Sequence, residues 1–385
     1  MKPPSLALCG HDPRRSVSLR GVPVAGWRCG LVSISHDGYE CFDPVDKEVV
    51  SWLYDQLLEG LNAPDGVSIG AGCYHLKGRG GITGATQELE TLLASGDYPY
   101  IIRSDAKGYY AHIRHHKLVG LLKDYGFSRE VCRVTTQLCQ RMTVRRGIYK
   151  ECQQGIPLGC SASPALAAIY LSPLDRAMNS LPGVRYLRYM DDWVILCPSR
   201  WKMRRAVKLM NQTLSALGLC AHPDKTFIGK TSKGFDFLGV QYPAKSQTTG
   251  LSLSAVSKGR LNQHLMDKFS HAARLYEQGR LHSLGAIELY LTHWLRWAKG
   301  LGLAATNTLD AIRQTLLQIC RDTADVMIET FSRAMLAWVK KQQEKTNNEN
   351  EIITKERVVP DGHVYGGLTD MHWHCLCARE DRQRQ

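Results

Sequence analysis

The chain has 385 residues, with 49 lysines and arginines against 36 aspartates and glutamates, which gives a formal net charge of +13. A chain of this length can bury a sizeable core and is expected to form two or three units. Basic residues spread along most of a sequence are typical of a protein that binds nucleic acid in a long channel, although solubility alone also favours net charge. The sequence contains no apolar stretch of about 20 residues, which excludes a membrane-spanning helix.

The cysteines indicate the cellular setting. All thirteen are scattered without a regular spacing, and the first residues of the chain do not resemble a secretion signal. We therefore expect a cytoplasmic protein in which most thiols are free and buried.

Hydrophobic periodicity predicts strands mixed with helices first and helices alone later. Residues 1–45 are rich in Gly, Pro, Cys and Arg and show no period, so we expect an irregular N-terminal extension. The predicted boundaries that follow are an α+β body over 46–250, an all-α unit over 251–341, and a linker with a tail over 342–385. The body is predicted to contain helices at 49–61, 85–94, 115–125, 129–140, 163–178 and 203–217, and strands at 98–103 and 235–240.

Two adjacent carboxylates, Asp191 and Asp192, interrupt an apolar run over residues 186–197. The apolar and β-branched residues on both sides predict a buried hairpin with the pair at its turn. Neighbouring buried carboxylates repel each other, which favours a divalent metal ion as their partner. An exposed Asp-Asp hairpin turn without a metal is the alternative interpretation.

Three further segments carry polar residues at structurally marked positions. Asp105 ends a predicted apolar strand, and the Gly-rich segment over 153–164 opens a predicted helix. Lys225 follows a Pro-Asp turn shortly before the apolar segment that begins at Phe235. A Gly-rich loop at a helix N-terminus favours close approach of backbone to an anion, and a simple helix-start turn is the alternative.

In this order and spacing, from about Gly72 to Gly239, the segments resemble the motifs of bacterial reverse transcriptases. The resemblance is to group II intron-like enzymes and to stand-alone, defence-associated ones. It implies a right-hand polymerase fold, with fingers and an antiparallel-sheet palm over 46–250 and a helical thumb over 251–341.

The resemblance implies RNA-directed DNA synthesis by nucleotidyl transfer with two metal ions. Asp105, Asp191 and Asp192 would be the catalytic metal ligands, and Mg²⁺ suits them because it accepts few carboxylates together with substrate phosphates; Mn²⁺ is an alternative. Lys225 would protonate the leaving pyrophosphate or neutralise its charge. A solvated surface lysine is the alternative for Lys225.

The resemblance also implies residues that bind the incoming nucleotide. Tyr110 would act as a steric gate that excludes a 2′-hydroxyl and so favours dNTPs, whereas the alternative is that Tyr109 and Tyr110 are ordinary strand aromatics facing opposite ways. Gln154 and Gly155 would contact the nucleotide and the template.

Other segments would bind the nucleic acid strands. Phe235, Leu238 and Gly239 belong to the segment that would hold the primer end. Lys77 and Arg79 lie in a Gly-rich segment and would bind the triphosphate or the template backbone. A basic loop without a special role is the alternative for these two residues.

The expected function is synthesis of cDNA from a dedicated RNA template, a structured non-coding RNA, with dNTPs as substrates and DNA as product. No RNase H or intron-type nuclease pattern is evident, and the partial match at Asn62 lacks the histidine of a retron motif. Phage defence in the bacterial cytoplasm is the leading role by family analogy, and a mobile retroelement's enzyme is the second. A maturase-like RNA-binding factor on the same fold is a further alternative. No membrane partner is expected, and a homo-oligomer is compatible with the sequence.

The C-terminal tail contains ligand types suited to zinc, namely His372, His374, Cys375 and Cys377. Their spacing differs from common zinc modules, in which two to four residues separate paired ligands. A packed or partner-binding tail is therefore the favoured interpretation, with zinc binding as the alternative.

Overall fold

A computed structural model describes residues 18–355, apart from positions 20–21, 25, 36–37, 63–68, 71 and 245–250. The chain divides into two compact units. The first comprises the described residues up to Ala85 together with Ser95–Gly229, and the second comprises Thr86–Ala94 and the described residues from Lys230 onward. Sheets and helices mix in the first unit and a helical region follows, as the predicted α+β class requires.

Short strands alternate with helices along the chain until about residue 253, and the described residues after that point form only helices. The strands are β1 (Ser18–Leu19), β2 (Val22–Pro23), β3 (Leu31–Ile34), β4 (Glu40–Cys41), β5 (Tyr100–Asp105), β6 (Met142–Arg145), β7 (Ile148–Glu151), β8 (Arg185–Tyr189), β9 (Asp192–Cys197), β10 (Phe227–Lys230), β11 (Phe235–Phe237), β12 (Val240–Tyr242) and β13 (Ser252–Leu253). The helices are α1 (Pro44–Asn62), α2 (Gly81–Ala94), α3 (Tyr109–His112), α4 (His115–Asp124), α5 (Arg129–Cys139), α6 (Ser163–Asn179), α7 (Arg200–Leu217), α8 (Ala255–Glu277), α9 (Gly285–Gly300), α10 (Ala305–Asp322) and α11 (Val326–Lys355).

The central sheet of the first unit has the strand order β10-β5-β9-β8. Strands β5, β9 and β8 pair antiparallel, and β8 and β9 form the hairpin predicted around the two aspartates. Helix α6 packs against α1, α4, α7 and β8, and most of its residues are buried. Its alanines and leucines therefore form a central part of the core.

The two faces of this sheet differ in what covers them. On β9, Trp193 and Ile195 belong to the hydrophobic core that includes α6 and α7, and the Trp193 indole contacts the sulfur of Met210 on α7 at 3.3 Å. Because side chains alternate along a strand, Asp192 points to the opposite face. Its cross-strand partner Asp105 points to that same face. The two carboxylates therefore lie on the side of the sheet away from α7.

The expectation of an irregular N-terminal extension is wrong for the described residues of that segment. Strands β3 and β4 join β6 and β7 in a sheet of order β4-β3-β6-β7, with β3 parallel to β6. The Trp27 indole is buried and donates a hydrogen bond to Asp46 at 2.8 Å. β3 and β4 have only four and two residues, and β3 pairs with β6 more than a hundred residues away, so no local pattern marks this sheet. Residues 1–17 lie outside the described residues.

The single strand predicted over 235–240 is also wrong, because β11 and β12 form a tight hairpin there. Leu238 and Gly239 have φ angles of 49° and 86°, which turn the chain back. A leucine seldom adopts a left-handed conformation, so the apolar run gave no turn signal.

The polar run that predicted a linker after residue 341 is helical as far as Lys355, because α11 continues through it. Lysine, glutamine and glutamate favour helix formation. The helix that begins in the packed part of α11 therefore continues through this polar run. The Cys/His tail lies outside the described residues. No helix in the described part of the chain is apolar over a length sufficient to cross a bilayer.

Candidate active site

Strand pairing brings the three predicted aspartates together. Asp105, the last residue of β5, is the direct partner of Asp192, the first residue of β9. Asp191 lies in the two-residue turn between β8 and β9, and its carbonyl accepts a hydrogen bond from the Ala106 amide at 3.2 Å. Residues from two distant parts of the chain thus share one edge of the sheet.

The carboxylates of this cluster are not fully compensated by the protein. Asp105 has one carboxyl oxygen bonded to the Lys225 ammonium at 2.8 Å, while its Oδ1 is buried without a hydrogen-bond partner. Burial, together with the negative charges of Asp191 and Asp105, raises the pKa of Asp192 to about 8. The cluster therefore has the chemistry of a site that favours cations.

A short turn fixes Lys225 beside Asp105. The His222 amide donates to the Asp105 carbonyl at 2.8 Å, and the hydroxyls of Ser104 and Thr226 lie 2.7 Å apart. The Arg103 guanidinium donates to the Lys225 carbonyl at 2.8 Å. The position of this lysine is therefore set by contacts with β5, which was not evident from its surroundings in sequence.

Met190 precedes the aspartate pair, and its backbone amide and carbonyl are both hydrogen-bonded to side chains. Met190 has a left-handed φ of 56°; its amide donates to His75 Nδ1 at 3.1 Å, and its carbonyl accepts from Arg188 Nη1 at 2.9 Å. His75 Nε2 lies 3.2 Å from the Pro164 carbonyl. Because a carbonyl only accepts, this geometry assigns the proton to Nε2.

Arg188 is itself held by a buried ion pair. Its guanidinium contacts both carboxyl oxygens of Asp175 on α6, and both side chains are almost completely buried. Our sequence reasoning missed Arg188, Asp175 and His75. An arginine inside an apolar strand was a usable signal, because a buried charge requires a partner, but the sequence does not identify that partner.

The candidate gate and the Gly-rich loop contact each other directly. Tyr110 lies in α3, so the alternative of ordinary strand aromatics is wrong. The Tyr110 carbonyl accepts from the Ile156 amide at 2.9 Å, and the Gly155 amide donates to the Ile113 carbonyl at 2.7 Å. The buried Tyr109 ring lies edge-on to the half-buried Tyr110 ring, with centroids 5.9 Å apart. Gln154 is exposed beside this contact.

Gly155 is required for two reasons, which predicts an effect of its replacement. Its φ is 87°, and a Cβ there would lie 2.9 Å from the Tyr110 carbonyl oxygen. Gly155→Ala is expected to destabilise the first unit by about 2 kcal/mol or more, because the added Cβ would shift the backbone at Tyr110. Gly126→Ala is the control, since Gly126 has φ 78° but open space. Equal unfolding midpoints in urea for both variants would contradict the importance of the close contact.

The residues predicted to bind the nucleic acid strands are divided between the two units of the chain. Lys77 is exposed, whereas the Arg79 guanidinium donates to the carbonyls of Ile69 and Gly70 at 3.2 and 3.4 Å and so braces its own loop. Phe235, Leu238 and Gly239 belong to the second unit, where the Ser257 hydroxyl donates to the Gly239 carbonyl at 3.1 Å.

The aspartate cluster fits divalent ions that are held jointly by protein and substrate. The unpartnered Oδ1 of Asp105 and the raised pKa of Asp192 favour a cation. Among the described residues, however, no three His, Cys, Asp or Glu side chains are placed to hold a metal ion as a group. Mg²⁺ commonly takes one or two carboxylates, with phosphates and waters as its other ligands, and this chemistry matches the cluster.

The raised pKa of Asp192 predicts how stability depends on pH. Its carboxyl group titrates near 3.8 ordinarily and near 8 in the folded chain, so between these values the folded state binds more protons than the unfolded state. The free energy of unfolding is therefore expected to fall as pH rises from about 4 to about 8 in EDTA. Thermal unfolding of wild type and Asp192→Asn measures this. If the thermal unfolding midpoints of the two proteins depend equally on pH, the raised pKa of Asp192 is contradicted.

The solved structures to which this chain is similar include two fungal telomerases. The telomerase of Candida albicans, in complex with a TWJ fragment of telomeric RNA, is 13% identical, with a TM-score of 0.42 over 76% of this chain and 56% of that chain. The apo telomerase of Candida tropicalis, truncated from its C-terminal domain, is 14% identical, with a TM-score of 0.39 over 54% of this chain and 45% of that chain.

Sequence comparison finds a curated relative and a matching family model. A curated relative, the Retron Ec86 reverse transcriptase of Escherichia coli, is 26% identical over 132 residues, which span 34% of this chain and 38% of the relative. Residues 74–242 match the family model described as reverse transcriptase (RNA-dependent DNA polymerase). This segment contains all three aspartates, Tyr110, the Gly155 loop and Lys225, so the residues of the candidate site lie within the part of the chain that is similar to this family.

Proposed function

We propose that the chain is an RNA-directed DNA polymerase, which extends a primer along an RNA template with dNTPs as substrates. The observation that supports this proposal most directly is the pairing of Asp105 with Asp192, which joins the carboxylates of two distant motifs at one sheet edge. The family match over residues 74–242 supports the same reaction class.

In this proposal the primer 3′-hydroxyl attacks the α-phosphorus of a dNTP; the new O–P bond forms as the bond to pyrophosphate breaks. Asp105, Asp191 and Asp192 would hold two Mg²⁺ ions, or Mn²⁺ as an alternative. When bound, such ions activate the hydroxyl and neutralise charge on the triphosphate. The turn at Met190, held by hydrogen bonds between its backbone and the side chains of His75 and Arg188, would keep the carboxylates in place and so limit reorganisation during the reaction.

Lys225 would act on the leaving group. Its ammonium lies 2.8 Å from Asp105 and is about one-third exposed, so it is within reach of a substrate in the site. A cation at this place offsets the charge that develops on the pyrophosphate, and its proton can be given to the leaving oxygen.

Tyr110 would select the sugar of the incoming nucleotide. Its ring is backed by Tyr109, whose hydroxyl donates to the Ala167 carbonyl at 2.5 Å. Tyr110→Ala is expected to reduce the preference for dNTPs over rNTPs by about ten-fold or more, because space opens for a 2′-hydroxyl. Ratios of kcat/KM for dNTP and rNTP measure this, with Tyr110→Phe as the control that keeps the ring. Unchanged sugar selectivity in Tyr110→Ala would remove the gate assignment.

The experiment that tests the proposed activity is primer extension. The purified chain, given a DNA primer on an RNA template with dNTPs and Mg²⁺, should lengthen the primer. If it binds the primer–template without extending it under either Mg²⁺ or Mn²⁺, the maturase-like RNA-binding function is favoured instead.

We infer a role in phage defence, through cDNA made from a dedicated structured RNA, with a mobile retroelement's enzyme as the second candidate. Likeness to a retron enzyme supports the broad class of bacterial retroelements. Expression in a bacterial host challenged with phage tests defence. If protection persists after the three aspartates are replaced, defence does not depend on DNA synthesis. Intron RNA domains flanking the gene would instead favour the mobile retroelement.

A further inference from the structure

Helix α7 presents an unusual charge distribution. Its 18 residues include Arg200, Lys202, Arg204, Arg205 and Lys208 but no aspartate or glutamate. Exposed faces of helices in soluble proteins commonly mix charges of both signs, and a one-sided distribution marks a surface that attracts a polyanion. The charge is also concentrated, because all five cations fall within the N-terminal half of the helix.

Three of these basic residues form one continuous face with a tryptophan. Trp201, Arg204, Arg205 and Lys208 follow spacings of three and four residues and are all exposed, so they lie side by side on the helix surface. We call these four residues the α7 face. The opposite side of the helix is buried through Ala206, Met210, Leu214 and Leu217.

The α7 face includes an exposed aromatic ring. Trp201 is 66% exposed, although tryptophan normally packs into a core. The Arg205 guanidinium lies 5.7 Å from the centre of the Trp201 ring. An aromatic ring beside guanidinium groups provides a surface on which an unpaired base can stack while its phosphates contact the cations.

The α7 face is separate from the candidate active site. Helix α7 covers one face of the central sheet through the contact of Met210 with Trp193, whereas Asp105 and Asp192 point to the other face. Its cations therefore do not line the carboxylate cluster. Contact with the reacting primer end therefore does not explain the cations of the α7 face.

We propose that the α7 face binds a single-stranded stretch of the RNA that the enzyme copies, outside the stretch held at the active site. The proposal rests on the proposed function for the identity of the strand. The density of cations without a carboxylate matches a phosphate backbone, and Trp201 matches an unpaired base. An acidic protein segment would match the charge, but it would leave the exposed ring without a role.

The test measures binding rather than synthesis. The full chain is preloaded with an unlabelled short RNA–DNA primer–template, and fluorescence anisotropy then follows a labelled single-stranded RNA of about 20 nucleotides, without dNTPs. The triple variant Arg204→Gln, Arg205→Gln, Lys208→Gln is expected to weaken binding about ten-fold or more. It should also flatten the slope of log affinity against log salt by about 2, since three phosphate contacts are lost.

A matched triple variant controls for net charge. Lys47→Gln, Lys123→Gln, Arg129→Gln removes the same three charges from exposed positions of the first unit. It should bind the RNA like wild type. If both triple variants weaken binding equally, only the net charge matters and the proposal is overturned.

Trp201→Ala separates stacking from electrostatics. It is expected to weaken RNA binding by roughly 5- to 150-fold with an unchanged salt slope, because it removes a ring and no charge. Unchanged affinity would overturn the stacking role. If the α7 variants lose affinity for single-stranded DNA or for an acidic peptide but keep their affinity for RNA, the α7 face binds a different partner.

Extension of a short primer–template distinguishes failure of this proposal from failure of the proposed function. All α7 variants should extend it like wild type and should show a raised KM only on long RNA templates. If the Arg204→Gln, Arg205→Gln, Lys208→Gln variant extends the short primer–template and also has the wild-type KM on long templates, the α7 site is refuted. The proposed polymerase function is then unaffected.

Discussion

Replacing Asp191 and Asp192 together by asparagine is expected to abolish primer extension, with a fall in kcat of about a thousand-fold or more. Asparagine keeps the shape but removes the charges that would hold the divalent ions, and such charge stabilisation contributes several kcal/mol to lowering the barrier. Single-turnover extension of a primer on an RNA template measures the effect.

The same variant is not expected to unfold, which separates chemistry from stability. Burial and neighbouring negative charge raise the pKa of Asp192 to about 8, so its ionised form is disfavoured in the folded chain. Its removal should leave the thermal unfolding midpoint in EDTA unchanged or higher at neutral pH. Asp97→Asn with Asp124→Asn is the charge-matched control at exposed positions, and this control should retain activity. Extension by the Asp191–Asp192 variant at the wild-type rate would overturn the active-site assignment.

Arg188→Met is expected to destabilise the first unit by about 3–5 kcal/mol. The substitution leaves the carboxylate of Asp175 buried without its partner, and an uncompensated buried charge is costly. It also removes the donor to the Met190 carbonyl, so activity should fall beyond the loss expected from reduced stability. Urea unfolding and the kcat of the folded fraction measure the two effects.

Two further variants isolate the contribution of the buried pair. Arg188→Met combined with Asp175→Leu should recover much of the lost stability, because no unpaired charge remains, but it should not recover kcat. Arg333→Met is the control at an exposed pair with Glu329 and should cost less than about 1 kcal/mol. Full recovery of kcat in the double variant would contradict a positioning role for Arg188 at the aspartate turn.

Local sequence patterns were sufficient where an element has a strong period or a characteristic turn. The amphipathic stripe of α7, with Gly218 as its left-handed C-cap, could be predicted in this way, and so could the hairpin around Asp191 and Asp192. These features depend on residues within one or two turns of each other. Trp193 is fully buried, as expected from the continuous apolar run in which it lies.

Features that depend on distant partners could not be predicted. The strands β3 and β4 are too short to show a period, and their sheet exists only through β6. The turn at Leu238 and Gly239 places a leucine in a left-handed conformation, which its residue type does not signal. Asp175 is an unremarkable polar residue until Arg188 is seen beside it.

The sequence by itself determined the class of the protein and the identity of its chemical groups, because Asp105, the Asp191–Asp192 pair and Lys225 have marked local surroundings. Only the tertiary structure decided which groups lie together. It pairs Asp105 with Asp192, braces Met190 with His75 and Arg188, and turns the basic face of α7 away from the carboxylates. The physical reason is that strand register and the choice of buried partners depend on packing of the whole unit, which residues near in sequence do not encode.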